Sequence, residues 1–329
     1  MKRLAVLGAG SWGTALAIAL APRFDSVRLW TRNAEQAAEM TEARQNRRYL
    51  PGLSFPGNLE VTSHIPFTLE EAKVVLTVIP SRYLRPLLER MSSHISASVT
   101  VVSATKGLED STLLRMSQVI AAALPGRPVA VLSGPTFAKE IAAGEPAAVV
   151  IASEQITLAE AIQRDFASHT LRLYASNDVI GVEIGAALKN VIAIGAGICR
   201  GLGLGSNSVA ALVTRGLAEI TRLAVAMGGH PRTLSGLAGL GDLVLTATGD
   251  LSRNRFVGVQ LGQGHKLEEI LGGMNMVAEG VTTCRAARQL GIDKDVDLPI
   301  VNKMHEVLYQ SKDPRGAIRE LMERPLTTE

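Results

Sequence analysis

A glycine-rich turn between an apolar strand and an apolar helix constrains the fold of this chain more than any other stretch. The strand RLAVLG ends at Gly8, the motif GAGSWG occupies residues 8–13, and the helix TALAIALA follows directly. In this GxGxxG spacing, Gly8 permits a tight turn, Gly10 lets a pyrophosphate approach the backbone, and Gly13 lets helix and strand pack closely. The N–H groups at the helix N-terminus attract phosphate. The pattern predicts a dinucleotide-binding unit, and a plain glycine turn is the weaker alternative.

The end of the second strand indicates which dinucleotide is bound. That strand is Ser26–Trp30, and the residues after it include Arg32 but no acid before Glu35. An NAD-specific site places Asp or Glu about 20 residues after the glycines to bind the ribose 2′-hydroxyl, whereas an arginine there accommodates a 2′-phosphate. Arg32 therefore favours NADP(H) over NAD(H), unless it is a solvated loop residue.

Strand and helix patterns alternate through the first half of the chain. After the first two strands, apolar runs predict strands at Lys73–Val78, Val99–Ser103, Val129–Leu132, Ala147–Ala152 and Thr170–Tyr174. Helices are predicted at Thr14–Ala21, Asn33–Ala43, Leu84–His94, Ser111–Ala123 and Leu158–Ala167. This alternation predicts a doubly wound, Rossmann-type α/β sheet that binds ligands at the carboxyl ends of its strands. Lys106 lies in such a loop and is the cation best placed there to meet a polar substrate or a phosphate.

The second half of the chain has a helical pattern. Helices are predicted at Val179–Arg200, Ser208–Met227, Val257–Leu261, Lys266–Leu271, Val281–Leu290, Leu298–Tyr309 and Pro314–Glu323. The change of class places a domain boundary near residues 176–178, with Asn177 or Asp178 as the helix N-cap. We therefore predict a dinucleotide-binding domain at 1–176 and a helical substrate-binding and catalytic domain at 177–329.

A lysine stands in the middle of the longest apolar stretch. Ile180–Cys199 is aliphatic or glycine except for Glu183, Lys189 and Asn190, which is typical of a helix buried on most sides. An ammonium there loses its hydration, so it must be paired or have a depressed pKa, which falls to about 5–6 for some buried lysines. Such a group can exchange a proton near neutral pH. The alternative is a Lys189 that reaches the surface or pairs with a core acid.

Two further segments are rich in polar groups suited to an anion. GLAGLGD, residues 236–242, is a glycine-rich turn that ends in Asp242. SRNR, residues 252–255, sets two arginines around an amide, and arginine forks match phosphate bidentately. Taken alone, SRNR is better explained as a solvated helix start. Glu279 either bonds a ribose or amide or begins the next helix.

Composition and charge exclude several classes of protein. A net charge of +3 with mixed signs, and 4% aromatic residues, argue against a nucleic-acid partner. Two isolated cysteines give no disulfide framework and suit a reducing compartment, and six scattered histidines show no metal-binding spacing. A central lysine costs about 2.5–3.5 kcal/mol in a membrane-spanning helix. We expect a cytoplasmic protein with no metal and no membrane span.

The order of the motifs resembles that of the bacterial NAD(P)-dependent glycerol-3-phosphate dehydrogenases. The motifs are GAGSWGTALA, IPS, SATKGLE, SGPTFAKE, EIGAALKNVIAIGAGI, GLAGLGDL, SRNR and VAEGVTT. The resemblance runs from Leu4 to about residue 325, so it does not depend on a single motif. It implies a Rossmann-type α/β N-terminal domain and an all-α C-terminal domain of the 6-phosphogluconate-dehydrogenase-like type. Separately, the glycines of the long apolar helix suit a homodimer, and they equally suit packing against a neighbour in the same chain.

The resemblance implies reversible hydride transfer between sn-glycerol 3-phosphate and dihydroxyacetone phosphate, which feeds phospholipid synthesis. Lys189, in the ALKN motif, is implied as the proton donor and acceptor. The implied substrate-binding residues are Lys106, Gly134, Thr136, Lys189, Asp242, Ser252, Arg253 and Asn254. The residues implied to bind NADP(H), with NAD(H) as the alternative, are Gly8, Gly10, Ser11, Trp12, Gly13, Arg32, Tyr49, Lys106, Ala138, Arg253, Val277 and Glu279.

Two departures from the family pattern and two rival functions bear on this assignment. Thr136 stands where many relatives have serine, and the loop that selects the cofactor varies within the family. A reductase of a 3-hydroxy acid or a ketopantoate-like carboxylate would need an arginine clamp for a carboxylate. A redox sensor that binds NADP(H) without catalysis would need neither a buried lysine nor a phosphate-binding cluster. This sequence supplies both, so the dehydrogenase is favoured.

Overall fold

The chain divides into two compact units in a computed structural model that describes residues 2–274, 277–326 and 328. The first unit contains the residues up to Lys106 together with Arg115–Val182. The second unit contains Gly107–Leu114 together with the residues from Glu183 onward. The segment 107–114 therefore belongs to the second unit, although both of its flanks belong to the first.

The first unit has an alternating α/β architecture. Its strands are β1 (Arg3–Leu7), β2 (Ser26–Trp30), β3 (Gln45–Asn46), β4 (Leu50–Ser54), β5 (Leu59–Thr62), β6 (Ala72–Thr77), β7 (Thr100–Ser103), β8 (Val129–Ser133), β9 (Ala147–Ala152) and β10 (Leu171–Ser176). Its first helices are α1 (Ser11–Leu20), α2 (Ala34–Ala43), α3 (Ile65–Leu69), α4 (Ser81–Met91), α5 (Met116–Ala123), α6 (Ala138–Ala142) and α7 (Ile156–Phe166). Every predicted strand is present to within two residues. The short β3, β4 and β5 lack a long apolar run, and the sequence pattern does not predict them.

Eight of the strands form one sheet in the order β10-β9-β8-β7-β6-β1-β2-β5. Neighbouring strands are parallel except for the antiparallel pair β8 and β9. Leu4–Leu7 of β1 are completely buried, as expected for a central strand covered on both faces. The predicted Rossmann-type sheet is confirmed. Its strand order reverses between β1 and β6, and such a switch point is where open α/β sheets bind ligands.

The predicted helix at 111–123 is wrong in its first five residues, because α5 begins at Met116. Leu113 has a left-handed backbone, with φ of +61°, which a helix cannot contain. The Thr112 hydroxyl donates to the Glu109 carboxylate at 2.5 Å. Short polar side chains that bond locally in this way favour turns over helices.

The second unit is helical. The helix α8 (Val179–Gly201) begins in the first unit and continues through the second. Asp178, one of the two predicted N-caps, accepts the N–H of Gly181 at 2.8 Å and so caps this helix. The others are α9 (Ser206–Ala226), α10 (Pro231–Leu234), a π-helical turn (Leu237–Gly241), α11 (Asp242–Thr248), α12 (Arg253–Gly262), α13 (Leu267–Gly272), α14 (Glu279–Asp293), α15 (Pro299–Tyr309) and α16 (Pro314–Met322).

The helix α8 is the core of the second unit. Of the described helices, it alone is long and apolar enough to cross a membrane, and 94% of its most apolar window is buried inside the protein. The predicted burial on most sides is confirmed. Cys199 on α8 and Cys284 on α14 are both buried, and neither forms a disulfide. Burial raises the pKa of both thiols, that of Cys284 to about 12.

The backbones of α8 and α12 touch where glycines face each other. A methyl group added to Gly197 would lie 2.1 Å from the carbonyl oxygen of Arg255, and one added to Gly258 would lie 2.0 Å from that of Ile194. Neither contact can be relieved by a side-chain rotation, because the facing atom is backbone. The glycines therefore set the separation of the two helices.

We expect Gly258→Ala to lower the free energy of unfolding by about 3 kcal/mol, because α12 must move away from α8. The matched control is Gly272→Ala at the end of α13, where an added methyl group meets nothing within 4 Å. That variant should be neutral or more stable by up to about 1 kcal/mol. Urea unfolding of both variants checks this, and equal midpoints would contradict the backbone contact.

A buried carboxyl on α9 caps the helix α15. Glu219 is 1% exposed, and its two oxygens accept the N–H groups of Ile300 at 2.7 Å and Val301 at 3.2 Å. Burial raises the pKa of Glu219 to about 7, while these N–H groups and the Arg222 guanidinium oppose the rise and the Asp297 carboxylate adds to it. The sequence does not reveal this group, because a single acid in an amphipathic helix is typical of a solvated face.

The folded protein holds the Glu219 proton more tightly than the unfolded chain, whose reference pKa is 4.5. The resulting stabilisation is complete below pH 4.5 and is lost as the pH rises through about 7. Because Glu219→Gln cannot ionise, the wild type should lose on the order of 3 kcal/mol relative to this variant over that interval. Urea unfolding of both proteins between about pH 5 and pH 8 measures the difference. A difference that does not change with pH would refute the assignment.

Candidate functional site

The glycine turn after β1 has the shape that a pyrophosphate requires. Gly8 has φ of +117°, and a methyl group added to it would lie 2.5 Å from the carbonyl oxygen of Val78. One added to Gly13 would lie 1.8 Å from the Gly8 oxygen, so each position needs a glycine. By contrast, a methyl group at Gly10 would meet nothing within 4 Å, which leaves its backbone open to a ligand. The residues present therefore fit the pyrophosphate of a dinucleotide at the N-terminus of α1.

The other residues predicted to bind the cofactor in the first unit lie near this turn or in loops after strands. Trp30, the last residue of β2, accepts the Gly8 N–H at 3.1 Å, and the exposed Arg32 follows two residues later. This is where a ribose 2′-substituent is expected. Tyr49 is half-buried in the turn between β3 and β4, with the Arg48 guanidinium 5.2 Å from its ring. Ser11 and Trp12 begin α1, and Ala138 begins α6.

Three predicted substrate-binding residues of the first unit meet at one carbonyl. The Lys106 ammonium donates to the oxygen of Gly134 at 3.2 Å, and the Thr136 hydroxyl donates to the same oxygen at 3.1 Å. Gly134 follows β8 and Lys106 lies beyond β7, so both are at carboxyl ends of neighbouring strands. The structure thus brings these three residues together.

A buried ion pair holds Lys189 in the second unit. Lys189 is 4% exposed and Asp242 is completely buried, and the ammonium donates to the Asp242 carboxylate. The ammonium also donates to the Thr246 hydroxyl at 2.9 Å, and that hydroxyl donates to the Asp242 carbonyl at 2.6 Å. The carboxylate lies in the first turn of α11, where the helix dipole favours negative charge. Lys189 therefore does not reach the surface, and pairing with a core acid is confirmed.

Close packing of α8 against the π-helical turn, one helical turn before Lys189, brings the charges of Lys189 and Asp242 together. A methyl group at Gly185 would lie 2.7 Å from the carbonyl oxygen of Ala238 in the π-helical turn. Lys189 is four residues beyond Gly185, and Asp242 is four residues beyond Ala238, so each charge is on the same helix face as its contact residue. The glycine-rich sequence before Asp242 thus lets α11 start against α8.

A network of amides lies beside Lys189 on α8. The Asn254 amide donates to the Asn190 side-chain oxygen at 2.9 Å, and its own oxygen accepts the N–H of Gly280 at 3.0 Å. The Ser252 hydroxyl accepts the N–H of Arg255 at 3.2 Å and caps α12. These bonds join α8, α12 and the start of α14. SRNR is thus a helix start, and Ser252 and Asn254 within it are buried.

Arg253 is a half-buried cation in the second unit. Burial lowers the pKa of its guanidinium, and the Glu279 carboxylate opposes this shift. Within residues 2–274 and 277–326, no hydrogen bond or ion pair reaches the guanidinium. A guanidinium stays protonated in proteins, so its donors are available to an anion such as phosphate. Val277, also predicted to bind the cofactor, lies two residues before Glu279 at the start of α14.

Sequence reasoning missed two polar residues of this cluster, Thr246 and Asn190. Thr246 lies four residues after Asp242, which puts both on one face of α11. The four-residue spacing indicates that Thr246 lies beside Asp242 only if this segment is known to be a helix, and the sequence pattern does not predict α11. Asn190 stands beside Lys189 in the apolar run, and that polar position was itself the available signal.

The sheet, the glycine turn and the buried lysine–carboxylate pair are the parts of a dinucleotide-dependent dehydrogenase. An ammonium held by a carboxylate in an apolar core can polarise a carbonyl oxygen and give it a proton. A half-buried guanidinium in the same unit matches a phosphate. Among the described residues, no group of three or more His, Cys, Asp or Glu side chains could hold a metal ion.

Comparisons with known proteins agree with this class. The family model described as NAD-dependent glycerol-3-phosphate dehydrogenase N-terminus matches residues 3–159, and the corresponding C-terminus model matches residues 178–319. The glycerol-3-phosphate dehydrogenase (NAD(P)+) of Koribacter versatilis is 54% identical, over 100% of this chain and 99% of that one. The relative of the same name from Acidobacterium capsulatum is 49% identical, over 99% of both chains.

A solved structure is also similar. The glycerol-3-phosphate dehydrogenase of Coxiella burnetii superposes with a TM-score of 0.95 at 39% identity, covering 98% of this chain and 99% of that one. The chain belongs to the NAD-dependent glycerol-3-phosphate dehydrogenase family.

We expect Asp242→Ala to lower the free energy of unfolding by about 3–5 kcal/mol, because the buried Lys189 ammonium loses its carboxylate partner. The matched control is Asp250→Ala, which removes an ion pair with Arg255 at 2.8 Å in which the Asp250 side chain is 94% exposed. That change should cost less than about 1 kcal/mol. Chemical denaturation at neutral pH compares the two variants, and a small loss for Asp242→Ala would mean that the ammonium is solvated.

Proposed function

We propose that this chain catalyses the reversible NAD(P)H-dependent reduction of dihydroxyacetone phosphate to sn-glycerol 3-phosphate, and that the product supplies glycerophospholipid synthesis. The observation that carries the proposal is the buried Lys189–Asp242 pair, in the same helical unit as the half-buried Arg253. The full-length similarity to proteins named glycerol-3-phosphate dehydrogenase supports the substrate. The first unit supplies the dinucleotide-binding turn.

Lys189 acts as the general acid and base. In the direction of reduction, its ammonium donates a hydrogen bond to the carbonyl oxygen and then transfers a proton to it as the carbon accepts a hydride. When bound, the nicotinamide cofactor supplies that hydride. In the direction of oxidation, the neutral Lys189 amine takes the proton back from the hydroxyl group. Asp242 and Thr246 fix the direction of the amine, because both bond to it.

The substrate phosphate needs cations, and Arg253 offers a half-buried guanidinium in the same unit as Lys189. We assign Lys106, Gly134, Thr136, Asp242, Ser252, Arg253 and Asn254 to the substrate together with Lys189. The residues assigned to the cofactor are Gly8, Gly10, Ser11, Trp12, Gly13, Arg32, Tyr49, Lys106, Ala138, Arg253, Val277 and Glu279. On this assignment residues 1–176 form the dinucleotide-binding domain, and residues 177–329 form the substrate-binding and catalytic domain.

A cytoplasmic location and a homodimer are part of the same proposal. Two isolated, buried cysteines and the family resemblance support the location. The homodimer is proposed from the glycine-rich sequence of α8, but Gly197 does not support it, because it packs on α12 of the same chain. Sedimentation equilibrium tests the dimer.

The initial rate of dihydroxyacetone phosphate reduction, followed by NADPH absorbance and repeated with NADH, tests the substrate and the cofactor preference. We expect saturable oxidation of the cofactor, with the higher rate for NADPH if Arg32 holds a 2′-phosphate. Protein that binds NADPH but gives a flat trace with both cofactors would overturn the substrate assignment and favour a hydroxy-acid reductase.

We expect Lys189→Ala to lower kcat by at least about 10³-fold, because no other group on α8 replaces its proton transfer. The Kd for NADPH should stay within about twofold of the wild type, since the glycine turn lies in the other unit. Lys294→Ala, which removes an exposed lysine after α14, is the matched control and should retain full activity. Normal turnover by Lys189→Ala would remove this residue from the mechanism.

A further inference from the structure

The side-chain amide of Asn46 joins the β3–β4 hairpin to the glycine turn. Asn46 is completely buried at the end of β3. Its nitrogen donates to the carbonyl oxygen of Ala9 at 3.0 Å and to the Thr14 hydroxyl at 2.8 Å. Its oxygen accepts the N–H of Tyr49 at 3.1 Å. Both amide hydrogens and the amide oxygen are therefore engaged, which is the usual condition for a buried polar group.

The bond to Ala9 orients the backbone that faces the pyrophosphate. Ala9 and Gly10 share a planar trans peptide, so the Ala9 carbonyl and the Gly10 N–H point in opposite directions. By holding the carbonyl, Asn46 turns the Gly10 N–H away from itself. The Gly10 side of the turn is open, since an added methyl group meets nothing there within 4 Å. The Thr14 bond ties the first turn of α1 to the same amide.

The hydrogen bond between Asn46 and Tyr49 fixes the turn of the β3–β4 hairpin. Residues 47–49 form the turn between β3 and β4, and the Asn46 oxygen closes this turn through the Tyr49 N–H. Arg47 and Arg48 within it are exposed, and the Arg48 guanidinium lies 5.2 Å from the Tyr49 ring. One buried amide thus holds a basic, aromatic turn at the N-terminus of α1.

We propose that Asn46 is a positioning residue of the dinucleotide site, which sets the affinity for NADP(H) by orienting the Gly10 N–H and placing Tyr49. This inference rests on the proposed function, because it takes the glycine turn as the cofactor site. Asn46 acts through Ala9, Thr14 and Tyr49, so its loss should weaken cofactor binding and leave the chemistry on bound substrate unchanged.

Asn58 provides a matched control in the same unit. Its amide nitrogen also donates to two backbone oxygens, those of Ala21 and Phe24, each at 2.9 Å. These oxygens follow α1, at the opposite end of the helix from the glycine turn. Asn46→Ala and Asn58→Ala therefore each remove two hydrogen bonds donated by a side-chain amide. Both variants should be less stable than the wild type, but only Asn46→Ala should bind NADP(H) more weakly.

The test measures the Kd for NADPH by fluorescence titration, together with the KM for dihydroxyacetone phosphate and kcat at saturating NADPH. For Asn46→Ala we expect a Kd about tenfold higher, with kcat and the substrate KM within about twofold of the wild type. For Asn58→Ala we expect an unchanged Kd. An equal Kd for wild type and a folded Asn46→Ala overturns the proposal, and so does an equal rise in both variants.

Thr14→Val keeps the test decisive if Asn46→Ala does not fold. Valine keeps the shape of the completely buried Thr14 but removes the hydroxyl that accepts from Asn46. The Kd for NADPH should rise about threefold, and an unchanged Kd would then overturn the proposal. A wild-type protein that binds neither NADPH nor NADH would instead overturn the proposed function. The two failures are therefore distinguishable.

Discussion

The helical unit depends on one buried ion pair. Removing the Lys189 ammonium from water costs free energy that only a partner with matched geometry offsets, and Asp242 supplies that partner. The pair in turn dictates the packing around it. The first turn of α11 must lie against α8, which the contact between Gly185 and the π-helical turn permits. The Thr246 hydroxyl then bonds to both members, since it accepts from the Lys189 ammonium and donates to the Asp242 carbonyl.

The α/β unit solves a related problem with backbone instead of side chains. A pyrophosphate is negatively charged and binds to backbone N–H groups. These groups must already be oriented toward the site before the ligand binds. At this turn positions 8 and 13 need glycine, because backbone atoms fill the space that a Cβ atom would occupy. Glycine permits this close approach, but its backbone has more conformational freedom than that of other residues. The Asn46 amide restricts that freedom through its bond to Ala9.

Periodicity and motif order predict most of the fold, because long apolar runs and a strand–glycine–helix transition have few structural solutions. They also predict that Lys189 is buried. The elements that escape prediction are short: the hairpin of β3 and β4, the edge strand β5, and the helices α3, α6, α10 and α11. Thr246 and Asn46 escape with them, because each owes its place to one of these elements. Glu219 escapes for a different reason, since the residues whose N–H groups it accepts are more than 80 positions away in the chain.

The two thiols carry a consequence for how such an enzyme meets oxidants. The thiolate is the form that peroxides and disulfides attack, and burial raises the pKa of Cys284 to about 12 and that of Cys199 in the same direction. At neutral pH the protonated thiol of Cys284 is therefore strongly favoured. Both cysteines of the chain are buried, and the raised pKa disfavours the thiolate form of each. The cell's oxidants thus meet no exposed, ionised thiol on this enzyme.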